Sequence, residues 1–402
     1  MACFLGLFII GLFALFLLWI EGGIMDNKTL ILSLILIALA MGIRGLCMDH
    51  ETADYRSFLT VWVDYFKENG GFAALKGSIG DYNLPYLYFL ALFSYSGVRD
   101  LYLIKLLSVF FDVALSWAVM RLVYVFTNDS RKVLAGFFIT LFLPTVVLNG
   151  AYWGQCDSIY GFFAVLSLYL VLADRPILSM VSIALSFSFK LQAVFLMPVF
   201  LVFLFVKKLK WRHLPVFPLT YFATCLPGLA LGKPLGDILG VYFKQMGEYS
   251  ALVLNAPSVY AFIPYGAQVD ETLYARLGIL AAFVFLGAVF VYCFVRRKEL
   301  GNKALLVCAL LICLGVPFLL PHMHDRYFFL ADVLSVAVAL VLPWLLHVPV
   351  CVSFASLLGY HAYLVLRYLL PMRYGSVALI LALLSLAFAL VFLTTKRGKK
   401  YA

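Results

Sequence analysis

"YLYFLALFSYSG", residues 86–97, is a run of a dozen mostly apolar residues, and the topology of the chain turns on it. A hydrocarbon core roughly 30 Å thick takes about 20 helical residues to cross, so this run suits an interfacial or re-entrant helix better than a span. The basic residues give the test. They gather as Arg131 and Lys132; Lys207, Lys208, Lys210 and Arg212; Arg296, Arg297 and Lys298; and Lys396, Arg397, Lys399 and Lys400. If 86–97 crosses, the first pair falls on the opposite side from the others. If it lies in the interface, every cluster falls on one side, as cytoplasmic loops require. The second map is adopted, and it puts the C-terminus in the cytoplasm.

Composition sets the class around that run. The chain is 65% hydrophobic, with 12% charged residues and a mean hydropathy of +1.02, which excludes a soluble domain. The alternation of a β-barrel is absent, while apolar runs of about 15 to 25 residues recur from end to end. The expected fold is an all-α polytopic membrane protein. Spans are predicted near 29–47, 101–126, 133–149, 158–172, 176–189, 192–206, 214–231, 274–295, 304–320, 327–346, 349–369 and 375–395. A further apolar stretch, 3–20, makes a thirteenth span or an uncleaved signal-like segment, or precedes a natural start at Met25. Residues 1–24 therefore read as an extra hydrophobic segment. Residues 25–402 read as one membrane domain, with a module at 25–231 and a second at 232–402. The net charge of +10 reflects topology and calls for no nucleic acid. Eight scattered cysteines carry no metal or disulfide spacing.

On this map four polar patches share the outer face: 48–100, 153–158, 232–273 and 321–328. Seven acidic and four basic residues lie from Met48 through Asp100, unlike any cytoplasmic loop of the chain. Ionisable groups at a membrane are costly and therefore informative. Asp54, followed by Tyr55 and Arg56, reads either as a general base at the membrane surface or as an ordinary solvated acid. In "GDYNLPYLY", 80–88, Pro85 marks the first turn of a surface helix, and Tyr82 fits an interfacial aromatic belt. In "GAYWGQCDSIY", 150–160, Trp153 reads as an anchor. Asp157 can be an N-cap, but Gln155 has no evident structural reason to be there. Lys190, in a long apolar stretch beside Gln192, needs a partner, either Asp157 or the phosphate of a ligand. "PHMHDRYF", 321–328, is the most specific stretch. His322, His324 and Asp325 fit no common metal spacing, whereas Arg326 with a histidine suits a phosphate.

In this order the segments "ADYRSFLTVW", "GDYNLPYLYFLAL", "YWGQCDSIYGFF", "FKLQAVFLMP" and "HMHDRYFF" resemble the GT-C superfamily of glycosyltransferases. The likeness is to the bacterial branch related to GPI mannosyltransferases and to the glucosyltransferases of asparagine-linked glycan assembly, and it covers roughly residues 29–330. Asp325 stands where the family usually has Glu, and "NLP" at 83–85 replaces a common Pro-Pro pair. The resemblance implies a bundle of 12–13 spans with a helical outer loop over residues 48–100. It also implies a sugar donor on a polyprenyl-phosphate carrier and a glycan or glycolipid acceptor. Asp54 matches the family's catalytic carboxylate.

The expected chemistry is a metal-independent, inverting hexosyl transfer at the outer face of the cell membrane, without a cofactor. Asp54 deprotonates the acceptor, while Lys190, His324 and Arg326 steady the departing phosphate. A flippase or secondary transporter is the rival from another class, although such proteins set their charges near the midplane between repeated halves. A lipid-linked polysaccharide polymerase is the nearer alternative.

Overall fold

A computed structural model describes residues 2–20, 26–246, 251–264, 266–395 and 398. The chain begins with α1 (Ala2–Ile20) and α2 (Asn27–Cys47), then α3 (Thr60–Glu68) and α4 (Leu84–Phe93). Next come α5 (Asp100–Tyr124), α6 (Ser130–Phe142), α7 (Pro144–Val147), α8 (Asp157–Leu172) and α9 (Pro176–Phe189). The run continues with α10 (Val199–Phe205), α11 (Val216–Ala230), α12 (Leu235–Met246) and α13 (Glu271–Val295). It closes with α14 (Asn302–Leu319), α15 (Phe329–Val341), α16 (His347–Leu364) and α17 (Arg373–Leu393). Extended structure among the described residues is confined to one short parallel pair, β1 (Val253–Leu254) and β2 (Met323–His324). The protein is all-α.

The helices differ in what surrounds them. In α14 every residue from Ala304 to Phe318 is apolar and buried, so this stretch forms the centre of the bundle. In α13 only Gly278, Ala282, Val289 and Cys293 are buried among 25 residues, although its exposed face is equally greasy. Water does not tolerate such a face over 25 residues, whereas lipid does. Six helices are long and apolar enough to cross a membrane, or eight if two bent pairs each count as one span. Among the rest, α8 and α9 match the segments predicted at 158–172 and 176–189, whereas the segments at 133–149 and 192–206 are broken for local reasons. Pro144 splits the segment expected at 133–149 into two pieces inclined at 44°. Likewise the segment at 192–206 is a 3-10 turn, Leu191–Phe195, followed by α10, which begins directly after Pro198.

Of the run at 86–97, residues 86–93 belong to α4, which starts at Leu84 with Pro85 in its first turn and ends after ten residues, and 94–97 form the turn beyond it. At 1.5 Å per residue that is about 15 Å, half of what a span needs. Leu84, Tyr86, Leu87 and Leu90 are buried, and the helix packs on α3 and α11. After α11 the chain turns by 118° into α12. That helix buries Ile238 and Tyr242 and exposes Leu235, Leu239 and Phe243, an amphipathic arrangement suited to a membrane surface. α1 packs on α2 and α5 as a helix of the same bundle. Met25 and the cluster Lys396, Arg397, Lys399 and Lys400 lie outside the described residues.

Candidate active site

Two breaks in regular helix build the site. Pro144 cannot donate a backbone N–H, so the chain swings out at Leu143 (φ −58°, ψ 123°). Below that break, Arg44 Nη2 donates to Leu141 O at 2.9 Å. The chain then widens into a π-helical turn, Leu148–Trp153, a form often met at functional sites. Gly154 ends it at φ 81°, a left-handed conformation that a side chain would strain. Gln155 and Cys156 follow, and α8 opens on Asp157. Asp54 lies opposite, just ahead of a second π-helical turn, Tyr55–Leu59. α2, α5 and α8 pack against the turn at Leu148–Trp153.

The Asp54 carboxylate accepts three side-chain hydrogen bonds. Trp153 Nε1 donates to Oδ2 at 2.9 Å and Gln155 Nε2 donates to the same oxygen at 2.7 Å. The Tyr363 hydroxyl donates to Oδ1. Asp54 is thus no solvated loop acid, for its side chain is only 15% exposed. The Asp157 carboxylate is deeper, at 2% exposure, and is paired with the Lys190 ammonium. Asn149 Nδ2 donates to its other oxygen at 2.7 Å and also contacts the Tyr360 hydroxyl at 3.2 Å. The N-cap role expected for Asp157 is not observed. It is the first residue of α8, and the helix has no side-chain cap.

Arg326 stands between these carboxylates. Its Nη1 is 3.8 Å from Asp54 Oδ2 and 4.0 Å from Asp325 Oδ1, and its Nε is 3.9 Å from Asp157 Oδ2. All three distances exceed hydrogen-bond length. Arg326 Nε and Asp325 Oδ1 are buried without a hydrogen-bond partner among the described residues. The guanidinium also lies 5.4 Å from the Trp153 ring centroid, and the Lys190 ammonium lies 5.4 Å from that of Tyr82. Tyr82 donates to Gln155 Oε1 at 3.3 Å, which ties the second polar segment to the residue holding Asp54.

Burial raises the Asp325 carboxyl to about 7 against the pull of Arg326. Burial, reinforced by the positive charges of Arg326 and Lys190, lowers His324 to about 3. His324 is therefore neutral near pH 7. The electrostatic role expected of it passes to Arg326, and the imidazole can offer only a hydrogen bond.

Asp54, Tyr82, Trp153, Gln155, Asp157, Lys190, His324, Asp325 and Arg326 come together. Four other candidates do not join them through any described contact. Tyr55 is buried with its hydroxyl 3.2 Å from both carboxylate oxygens of Asp100. Arg56 is exposed and donates to Glu51 at 2.8 Å. His322 Nδ1 contacts Ala251 O at 2.8 Å. Gln192 is buried with its Oε1 lacking a partner among the described residues. Three contributors were not foreseen: Asn149, Tyr360 and Tyr363. The tyrosines lie in "GYHAY", 359–363, within a predicted span where their spacing resembles an interfacial belt. Trp153 packs between them, stacked on Tyr363 at 4.6 Å and edge-on to Tyr360 at 5.4 Å.

Two apolar grooves open elsewhere, about 290 Å³ along α1 and α2 and about 470 Å³ between α13, α14 and α17. No acidic or basic side chain lines either one, and neither touches the polar cluster. Among the described residues, no group of three or more His, Cys, Asp or Glu is placed to hold a metal ion. The chain matches no protein-family model and no curated protein sequence.

Proposed function

We propose that this chain is a membrane glycosyltransferase of the GT-C type. It would move a hexose from a polyprenyl-phosphate carrier to an acceptor hydroxyl at the extracytoplasmic face. One observation carries the reading. Asp54 is the most exposed of the three clustered carboxylates, at 15% against 2% for Asp157 and for Asp325, and it adjoins a guanidinium with open hydrogen-bonding capacity. A carboxylate a ligand can reach, next to a cation that has not closed its own bonds, suits a proton acceptor beside an anion-binding group.

The step is one displacement. As the acceptor oxygen attacks the anomeric carbon, Asp54 takes its proton. The bond from that carbon to the phosphate oxygen breaks on the opposite side, which inverts the centre. The electron pair leaves with the carrier phosphate, which Arg326 meets in the position now facing Asp54 and Asp157. Lys190 is held by Asp157, so it acts through the shared field or after rearrangement. Trp153, Gln155 and Tyr363 hold the base in one orientation, which such a reaction requires.

The surroundings favour a lipid-borne substrate. α4 is too short to cross, and α12 presents Leu235, Leu239 and Phe243 outward while its Tyr242 hydroxyl donates to Phe187 O, three residues before Lys190. A carrier lying in the bilayer could approach the cluster along this apolar surface. On this reading the broken and shorter helices cross as interrupted spans, with flanking residues and a locally thinned bilayer making up the length, giving the 12–13 crossings that the resemblance implies.

Purified protein given a polyprenyl-phosphate hexose and a glycan acceptor should consume the donor and release the carrier phosphate. Translocation of lipid-linked glycan without donor cleavage would replace this reading with a flippase.

A further inference from the structure

Six residues beyond Arg326, α15 carries Asp332, which is fully buried. The hydroxyls of Thr145 on α7 and of Ser353 and Ser356 on α16 face its carboxylate. Yet both Asp332 oxygens and all three hydroxyl oxygens are buried without a hydrogen-bond partner among the described residues. Nor is Asp332 ion-paired to any described basic side chain. An unpaired charge at that depth is costly, and three hydroxyls with open bonding around it are unusual in a packed interior.

The backbone adds a second observation. Thr145 lies two residues past the break at Leu143, in the split pair α6–α7. Interrupted membrane helices are where oxygen ligands for small cations recur, because broken backbone is tolerated where it lines a polar site.

We infer that Asp332, Thr145, Ser353 and Ser356 form a binding site for a sodium ion. One carboxylate and three hydroxyls are hard oxygen donors, which suit alkali and alkaline-earth ions and not thiophilic metals. A single positive charge makes the buried site neutral, whereas a divalent ion leaves an excess charge in the low-dielectric interior. A proton also neutralises Asp332, and the salt series below separates it from a cation. A cation accommodates all four side chains at once, each through an oxygen atom.

The site is joined to the polar cluster through two elements. Thr145 precedes Asn149 by four residues, and Ser356 precedes Tyr360 by four, so each pair is one turn apart. Asn149 and Tyr360 touch one another, and Asn149 donates to Asp157. The ion would stiffen the broken span on which Trp153, Gln155 and Asp157 depend. The inference stands on its own residues, whatever reaction the neighbouring cluster performs.

The test is thermal unfolding of the full chain in detergent, followed by intrinsic fluorescence, with NaCl replacing choline chloride at constant ionic strength. Sodium should raise Tm saturably, by about 3 °C at a hundredfold excess over its Kd. KCl and MgCl₂ series should give smaller shifts. Asp332→Asn should abolish the sodium response, and Ser356→Ala should move its midpoint by about tenfold. If Asp332→Asn does not fold, the wild-type cation series and Ser356→Ala still decide. Equal melting in sodium and choline, or a sodium shift unchanged in Asp332→Asn or in Ser356→Ala, overturns the proposal. A pH-dependent Tm identical in both salts also overturns it, and assigns the site to a proton.

Discussion

Two buried arginines in this molecule face aspartates, and they could hardly be treated more differently. Arg44 and Asp112 are both fully buried, joined by Nη2–Oδ2 at 2.9 Å and Nε–Oδ2 at 3.0 Å. The remaining valences are also filled. Arg44 donates to Leu141 O and Ala40 O, and Ser158 donates to Asp112 Oδ1 at 2.5 Å. This pair is closed and ties α2 to α5 and α8. Arg326 reaches its three carboxylates only at 3.8 to 4.0 Å and closes no hydrogen bond with them. A closed pair has finished its work when the chain folds. An open one retains donors for something else, and that contrast separates a clamp from a candidate ligand site.

The contrast can be broken most decisively at the clamp. Asp112→Ala leaves the Arg44 charge buried and unpaired, which should cost about 3–5 kcal/mol of stability. Arg326→Ala should cost much less, because its contacts are already long. Denaturant or thermal unfolding of the two variants compares them directly, and equal losses would remove the distinction.

Within the open cluster, Asp54→Asn preserves shape and removes basicity. A loss in kcat of at least about a hundredfold is expected, with donor affinity retained. Asp49, Glu51 and Asp64 are the controls, each paired at the surface with Tyr102, with Arg56 and Arg99, or with Lys67. Their substitution should cost under about tenfold. Near-normal turnover in Asp54→Asn would move the base to another group.

For Arg326→Ala the expected change is in donor affinity, weaker by about ten- to a hundredfold, with acceptor binding little altered. Isothermal titration with a polyprenyl-phosphate analogue gives the comparison, and a matching loss for acceptor would point to general disruption.

A further test concerns pH. Asp325 is raised to about 7 in the folded chain from a usual 3.8, so the folded state holds its proton longer than the unfolded one. Stability linked to it is present below about pH 3.8 and is lost as pH climbs through about 7. His324 works in reverse. Lowered from 6.5 to about 3, it contributes stability that is present above pH 6.5 and is lost as pH falls toward 3. Asp325→Asn should therefore raise Tm relative to wild type at pH 8 and leave it unchanged at pH 3.5. A Tm difference independent of pH would show that Asp325 is not the titrating group.

Much of this architecture was legible without coordinates, and for definite reasons. A hydropathy pattern reports burial in lipid or protein directly, so the helical character and approximate limits of thirteen apolar segments followed from it. That 86–97 is too short to span, and that a helix begins beside Pro85, followed from the length of the run and the geometry of proline; α4 runs from Leu84 to Phe93. The site was partly legible because charges are rare in so apolar a chain. Lys190 stood out by solvation cost, Arg326 by the fit of a guanidinium to phosphate, and Asp54 chiefly through the family resemblance; all three lie in one cluster.

Other features depend on contacts that no local pattern encodes. The residues alone left Asp54 open between a base and a solvated acid, and Asp157 between an N-cap and a partner for Lys190; packing buried Asp157 against Lys190 and left Asp54 partly reachable. Ser158 belonged to a segment read as facing outward, yet it is fully buried against Asp112. Tyr55 and Arg56 adjoin Asp54 in the chain but turn away, because neighbours around a helical turn point in different directions. Tyr363 lies 309 positions from Asp54 and donates to it. The sequence by itself determined which side chains were too costly to be idle in a membrane, since that cost belongs to each residue. Only the tertiary structure decided which of them are mutually satisfied and which stay open, since that depends on partners brought together from distant parts of the chain.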